Sequence, residues 1–177
     1  MTCDVTPHHL VLTDAACIDY DPRFKVSPPL RPDADVAAVR SGLLDGTIDA
    51  IATDHGPCPI DAKEQPFDQA PFGVAGLETV LAVLLTELPI PFERLLPALS
   101  WRPADIAGLH RRHGCPIEVD RPANVAVVDP KAAWTIEACK LASRSPLSPY
   151  DGRRVVGRVR HTIYRGEPVV VDGKATR

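Results

Sequence analysis

The sequence predicts an α/β fold with a small β unit at its C-terminal end, and three observations support this class. Strand-like and helix-like patterns alternate over residues 1–109. From residue 124 onward, short β-rich runs are separated by Pro, Gly and Asp, which are typical turn residues. The chain has 177 residues, of which 45% are hydrophobic and 24% are charged, as expected of a folded globular protein with a real core.

The first elements are a strand, a helix and a second strand. Residues 1–6 predict a short strand, and Pro7 stops it because proline has no backbone N–H to donate. Residues 34–44 predict a helix that Gly46 closes, since apolar side chains recur there at helical spacing, namely Val36, Val39 and Leu43. Residues 48–53 are apolar enough for a strand that is covered on both faces, as the strands of parallel sheets are.

Helices are predicted next, and strands after them. Residues 74–88 place an apolar stripe on one helical face, and shorter helices are predicted at 92–99 and 103–109. The stripe consists of Leu77, Val80 or Leu81, Leu84 and Leu88. Antiparallel strands packed against this α/β part are then predicted at residues 125–128, 134–136, 155–164 and 169–171.

The stretch IATDHGPCP, residues 51–59, places an acid and a histidine where the second strand ends. The carboxyl ends of parallel strands carry the chemistry of α/β barrels, so Asp54 is a candidate active-site residue. Only two candidate barrel strands can be identified, which is too few to close a barrel. The sheet is therefore either open or part of something longer. From the residue alone, the simpler interpretation is that Asp54 caps the following loop.

Charge and composition argue against several classes of function. The formal net charge of −3 gives no general attraction to nucleic acid. No apolar run reaches the length of a membrane span, and no secretory leader pattern opens the sequence, so we expect a cytoplasmic protein. The five cysteines contain no CxxC pair and are expected to be reduced thiols. A metal site can be drawn from Cys3, His9, His55 and Cys58, but its spacings match no zinc pattern.

Five motifs in a fixed order carry a resemblance to a known family. They are CDVTPHHLVLTD (residues 3–14), KVSPPLR (25–31), DGTIDAIATDHGP (45–57), APFGVAGLET (70–79) and RPANVAVVDP (121–130). In this order and spacing, the chain resembles the C-terminal part of dihydroorotase, a member of the amidohydrolase superfamily, over nearly its whole length. TPHHL, PPLR and ATDH fit dihydroorotases better than allantoinases or hydantoinases.

The resemblance implies a fold and a division of the chain. Dihydroorotases are metal-dependent (β/α)8 TIM barrels with a small β-sandwich built from both chain ends. By this resemblance, residues 1–120 are the C-terminal portion of the barrel, with its last two strands and the following helices. Residues 121–177 are the C-terminal strands of the β-sandwich subdomain.

The resemblance also implies roles for individual residues. Asp54 is implied to bind the metal and to act as general base, taking a proton from the attacking water and returning it to the leaving nitrogen. Phe72 and Gly73 match the loop whose backbone meets the substrate ring. Ser27 and Cys58 stand at substrate-contacting positions where the family usually has asparagine and histidine. These two departures weaken the expected recognition of a substrate carboxylate.

Other polar residues in these motifs are predicted to be structural. His8 and His9 follow the first strand and are assigned to packing. His55 is predicted to be a buried hydrogen-bonding residue rather than a metal ligand. Asp4 stands where some relatives have a glutamate, and an ordinary acid at a strand end explains it equally well.

The implied activity is the hydrolysis or formation of a cyclic amide, interconverting dihydroorotate and N-carbamoyl-aspartate in de novo pyrimidine biosynthesis. The implied cofactor is zinc, as one or two divalent ions in a complete enzyme. The family's HxH pair and other ligands lie on strands that this sequence does not contain. One carboxylate cannot hold a catalytic metal, so we expect the chain alone to be inactive.

Two kinds of partner follow from this expectation. To be active, the chain would need the missing N-terminal barrel half or a homo-oligomer. This holds whether the chain is the product of a truncated gene, one half of a split enzyme or a fragment. The alternative is a non-catalytic dihydroorotase-like protein that serves as a structural partner of aspartate carbamoyltransferase. Ser27 and Cys58 favour that alternative because they depart from the family's substrate-contacting residues.

Overall fold

The computed structural model describes residues 1–176. Its helices are α1 (Pro7–Val11), α2 (Asp33–Asp45), α3 (Ile60–Lys63), α4 (Val80–Glu87), α5 (Phe92–Leu96) and α6 (Arg102–Ile106). Its strands are β1 (Asp4–Val5), β2 (Ala50–Ile51), β3 (Val125–Thr135), β4 (Arg154–Tyr164), β5 (Glu167–Val171) and β6 (Lys174–Ala175). Within this part of the chain, no helix has both the length and the apolar character needed to cross a membrane.

The two short strands β1 and β2 are adjacent and parallel. The connection between them contains α1 and α2, and α2 is followed by Gly46, whose φ of 85° is left-handed. The ladder extends past both strand ends, because Asp49 N donates to the Cys3 carbonyl and Ala52 N to the Val5 carbonyl. The predicted order of strand, helix and strand is therefore confirmed, and the segments that follow both strands leave the pair at the same edge.

Helix α4 lies between two apolar clusters because it is apolar on nearly every side. Ala82 and Val83 belong to the first cluster, whereas Leu84 belongs to the second. The other buried members of the first cluster are Leu12, Val26, Leu30, Val74, Ile136, Tyr150 and Val155. Those of the second are Val5, Leu10, Ile51, Leu88, Ile90, Leu95 and Ala98. The second cluster therefore anchors both parallel strands.

Strands β3 to β6 form an antiparallel sheet in sequence order. The two runs predicted at residues 125–128 and 134–136 are one continuous strand in the structure, β3. Its pairing with β4 shifts register between Asp129 and Ala133. Asp129 Oδ1 accepts hydrogen bonds from the backbone of Lys131 and Ala132, so the break that Asp and Pro predict becomes a bulge rather than a chain reversal.

The antiparallel sheet packs on the helical part through α4, as predicted. Thr86 Oγ1 accepts a hydrogen bond of 2.9 Å from Val156 N, and Val155 enters the same apolar cluster as Val83. At the other end of α4, the Glu78 carboxylate accepts from the backbone N–H groups of residues 142 and 143. These contacts hold the sheet and the β3–β4 loop against α4 and the residues that precede it.

The helix predicted from residue 74 begins only at Val80. The preceding residues are held in another arrangement, in which Val74 forms a parallel bridge with His55. Gly76 N donates to the His55 ring rather than into a helix. The predicted helices at 92–99 and 103–109 are α5 and α6, which a π-helical turn over Pro97–Trp101 joins into one run.

Candidate active site

Asp54 lies three residues beyond the end of β2, at the edge where both parallel strands end. Its backbone has a φ of 46°, which is uncommon for a residue with a side chain and turns the chain away from the strand direction. Its side chain is 52% exposed. An exposed carboxylate at a strained strand end can contact a substrate or a metal ion, whereas a purely structural acid usually forms hydrogen bonds within the protein.

His8 faces Asp54 from helix α1. That helix starts directly after β1, because the Thr6 side chain accepts from His9 N and Pro7 supplies a φ suited to the first helical position. The His8 side chain is 1% exposed, and its Nε2 lies 3.7 Å from Asp54 Oδ2. Burial, with a smaller contribution from His9, lowers the pKa of His8 to about 4. The ring is therefore neutral at pH 7.

His9 connects α1 to the loop that carries Ser27. Its Nδ1 lies 2.6 Å from Thr6 Oγ1, and its Nε2 lies 3.0 Å from the Pro28 carbonyl oxygen. A carbonyl only accepts hydrogen bonds, so the network assigns the ring proton to Nε2. Ser27, the residue directly before Pro28, is exposed. The assignment of His9 to a structural role is consistent with these contacts.

His55 fastens the Asp54 loop to the segment before α4. Its Nδ1 accepts hydrogen bonds of 3.2 Å from the backbone N–H groups of Gly76 and Leu77. The predicted hydrogen-bonding role is confirmed, although the residue is half-buried rather than buried. An Nδ1 that accepts two N–H groups is not free to bind a metal.

Gly73 allows two backbone segments to approach closely. Its φ is 122°, and a Cβ at this position would lie 2.5 Å from the Gly56 carbonyl oxygen. Gly73 N donates to the Lys25 carbonyl at 3.1 Å, which joins this loop to the Ser27 segment. Phe72, one residue earlier, is 58% exposed. The loop therefore offers an exposed aromatic ring on a backbone that is fixed on both sides.

The Cys58 thiol is directed at this same backbone. Its Sγ lies 3.5 Å from the Phe72 carbonyl oxygen and 3.7 Å from that of Gly56. A thiol has a single weak donor, and here both neighbouring acceptors are main-chain carbonyls. The Cys58 thiol thus lies between the Gly56 and Phe72 backbone segments.

Lys25 is a residue near the candidate site that the motif analysis did not single out. It is 9% exposed, and its Nζ lies 4.8 Å above the centroid of the Phe72 ring. The same Nζ donates to the Asp68 carbonyl at 3.0 Å. The signal available in the sequence was its position two residues before Ser27 in KVSPPLR. Its burial, however, depends on a contact with a distant loop.

The described residues do not assemble a complete metal site. In residues 1–176, no group of three or more His, Cys, Asp and Glu side chains is placed to hold a metal ion. The set of Cys3, His9, His55 and Cys58 is therefore not a site, and both histidines already use ring nitrogens for hydrogen bonds. Asp54 is the accessible carboxylate at the strand ends that could serve as one ligand among others.

Comparisons with known proteins show a partial match to longer ones. No family model matches the chain. The dihydroorotase of Streptomyces coelicolor is 42% identical over 180 residues, covering 99% of this chain and 42% of that protein. The dihydroorotase of Geotalea daltonii is 44% identical over 172 residues, covering 96% of this chain and 40% of that protein.

The chain also covers about two fifths of the solved structures that it resembles. An L-hydantoinase (dihydropyrimidinase) from Arthrobacter aurescens superposes with a TM-score of 0.92 at 28% identity, over 99% of this chain and 40% of that one. A D-hydantoinase (dihydropyrimidinase) from a Thermus species superposes with a TM-score of 0.90 at 24% identity, a likeness that shows the fold alone. The chain is a relative of the dihydroorotases that spans about two fifths of their length.

Proposed function

We propose that this chain forms part of a dihydroorotase, which interconverts dihydroorotate and N-carbamoyl-aspartate in pyrimidine biosynthesis by opening and closing a cyclic amide. The observation that carries the proposal is the 42% identity to a dihydroorotase over 99% of the chain. The exposed Asp54 carboxylate at the end of a parallel strand is consistent with it.

The architecture proposed for the whole enzyme is a (β/α)8 TIM barrel with a small β-sandwich. Residues 1–120 would supply the last two barrel strands and the following helices, and residues 121–177 the C-terminal sandwich strands. The parallel pairing of β1 with β2 supports the first assignment. The separate antiparallel sheet of β3 to β6 supports the second.

Asp54 is proposed as the general base and as one metal ligand. Its carboxylate would take a proton from the attacking water and deliver it to the nitrogen that leaves the ring. Zinc, as one or two divalent ions bound mainly by residues outside this chain, would polarise the ring carbonyl and make hydroxide available at neutral pH. Asp54 fits this group because it is an exposed carboxylate at the strand ends.

The proposed substrate contacts are Phe72, Gly73, Ser27 and Cys58. Phe72, which is 58% exposed, would contact the substrate ring, and Gly73, which has no side chain, would let the loop backbone lie close to that ring. Ser27 is an exposed residue, and its hydroxyl would donate to a substrate carboxylate. Cys58 would act by holding the Phe72 carbonyl in place, since its thiol is already directed there.

The proposed partners are the small-molecule substrate and a chain, or a second copy, that supplies the rest of the barrel. Parallel strands with unpaired edges associate readily, so we expect the isolated chain to bind such a partner or to self-associate. A non-catalytic role beside aspartate carbamoyltransferase is the alternative, and the names of the relatives do not favour it.

The test is turnover of dihydroorotate by the chain alone and by the chain mixed with the N-terminal half of a dihydroorotase. We expect activity only in the mixture, and we expect Asp54→Ala to abolish it because the base is lost. Asp61→Ala, which removes an exposed acid in α3, the next helix along the chain, is the matched control and should retain activity. Activity that survives Asp54→Ala, or a mixture without activity, would contradict the proposal.

A further inference from the structure

His8 carries a buried polar atom that the fold leaves without a partner. In the part of the chain that is described, His8 Nε2 is buried and forms no hydrogen bond. An unpaired buried polar atom costs stability, and such atoms in folded proteins usually have a specific reason. The neighbouring His9 differs, because both of its ring nitrogens have partners.

The nearest acid is Asp54, whose Oδ2 lies 3.7 Å from His8 Nε2. This distance is longer than a hydrogen bond, but the two side chains differ in freedom. His8 is enclosed at 1% exposure on a capped helix, whereas Asp54 is 52% exposed and forms no side-chain hydrogen bond with the described residues. The described residues therefore leave the Asp54 carboxylate free to turn toward His8. Hydrogen bonds of this kind are often long before substrate binds.

We propose that His8 is a positioning residue for Asp54, donating a hydrogen bond from Nε2–H to Oδ2 and leaving the other carboxylate oxygen free. The significance of this contact for catalysis rests on the role proposed for Asp54. The contact also explains why a polar ring is buried at the start of α1, where an apolar side chain would pack at lower cost.

The first test measures the contact itself by NMR on the complete chain labelled with 15N-histidine. We expect the His8 ring to be neutral with its proton on Nε2, and we expect this N–H to exchange slowly with solvent. Removing the acceptor by Asp54→Ala should accelerate that exchange about tenfold and shift the 15Nε2 resonance. His8→Gln identifies the signals by deleting them.

The matched control is Asp61→Ala, which removes an exposed acid without a contact to His8. It should leave the His8 signals unchanged. A proton on Nδ1, or His8 signals that are the same in the wild type and in Asp54→Ala, would overturn the proposal. Because this readout needs neither metal nor turnover, it stands whether or not the chain supports dihydroorotate hydrolysis.

The second test uses the chain complemented with an N-terminal barrel half. His8→Met fills the same space without a donor and should lower kcat about 10- to 100-fold, with a smaller effect on KM. His8→Gln places an amide N–H near the position of Nε2 and should restore most of the lost kcat. Equal kcat for His8→Met and the wild type would contradict a positioning role. A mixture in which even the wild type is inactive would instead contradict the proposed function.

Discussion

Replacing Gly73 by alanine should destabilise the protein, because the loop that carries Phe72 has no room for a Cβ. A side chain at the Gly73 φ of 122° costs about 1–3 kcal/mol in backbone strain. The new Cβ would also lie 2.5 Å from the Gly56 carbonyl oxygen, so one backbone segment must move. That movement would weaken or break the 2.9 Å hydrogen bond from Gly56 N to the Val74 carbonyl, which contributes about 1 kcal/mol. We expect Gly73→Ala to lower the free energy of unfolding by about 2–4 kcal/mol.

Gly46→Ala is the matched control for this prediction. Gly46 also has a left-handed φ, of 85°, but no atom lies within 4 Å of an added Cβ. Its substitution should cost only the backbone strain, about 1–2 kcal/mol. Urea unfolding followed by tryptophan fluorescence measures both variants under the same conditions. If Gly73→Ala costs no more than Gly46→Ala, the close approach of Gly56 does not constrain the loop as described.

Substitutions at two further positions test individual polar groups. His55→Ala should lower the free energy of unfolding by about 1–3 kcal/mol, because two backbone N–H groups lose their acceptor. His55→Asn, which keeps an acceptor near Nδ1, should lose clearly less; equal urea midpoints for the two variants would contradict this. Tyr150→Phe should leave stability at neutral pH unchanged or raise it by about 1 kcal/mol, since the buried Tyr150 hydroxyl has no partner among residues 1–176. Burial also raises the pKa of Tyr150 above its ordinary 10.0, so the unfolded chain releases this proton first and stability falls as pH rises above about 10. Urea midpoints compared at about pH 8 and about pH 10.5 should show a smaller alkaline loss for Tyr150→Phe than for the wild type, and equal losses would refute the assignment.

Local sequence patterns predict the order and type of most elements. The apolar spacing of residues 34–44 predicted α2, and the apolar run at residues 48–53 predicted β2 beside β1. The change of pattern after residue 124 predicted a separate antiparallel unit. These features depend on local periodicity and on Pro and Gly, which act on the chain wherever it folds. The motif resemblance to dihydroorotases was likewise available from the sequence and agrees with the relatives found.

Tertiary contacts alone decided where some elements begin and end. Residues 74–79 have a helical apolar pattern, yet the His55 ring and the bridge to Val74 hold the start of this segment out of the helix. Asp129 predicts a break, but pairing with β4 carries the strand through it as a bulge. In both cases, hydrogen bonds to a distant segment outweigh a local preference worth only fractions of a kcal/mol per residue.

In the candidate site, too, the sequence predicts the residues and the tertiary structure gives their contacts. Sequence alone singled out Asp54, Ser27, Cys58, Phe72 and Gly73, because residue type and motif position are local properties. It could not show that His8 Nε2 lies 3.7 Å from Asp54 Oδ2, or that Lys25 lies against the Phe72 ring. The first contact exists because β1 and β2 pair in parallel and end at one edge, and the second exists because Gly73 N donates to the Lys25 carbonyl. No spacing along the chain encodes that distance, so only the folded structure decides it.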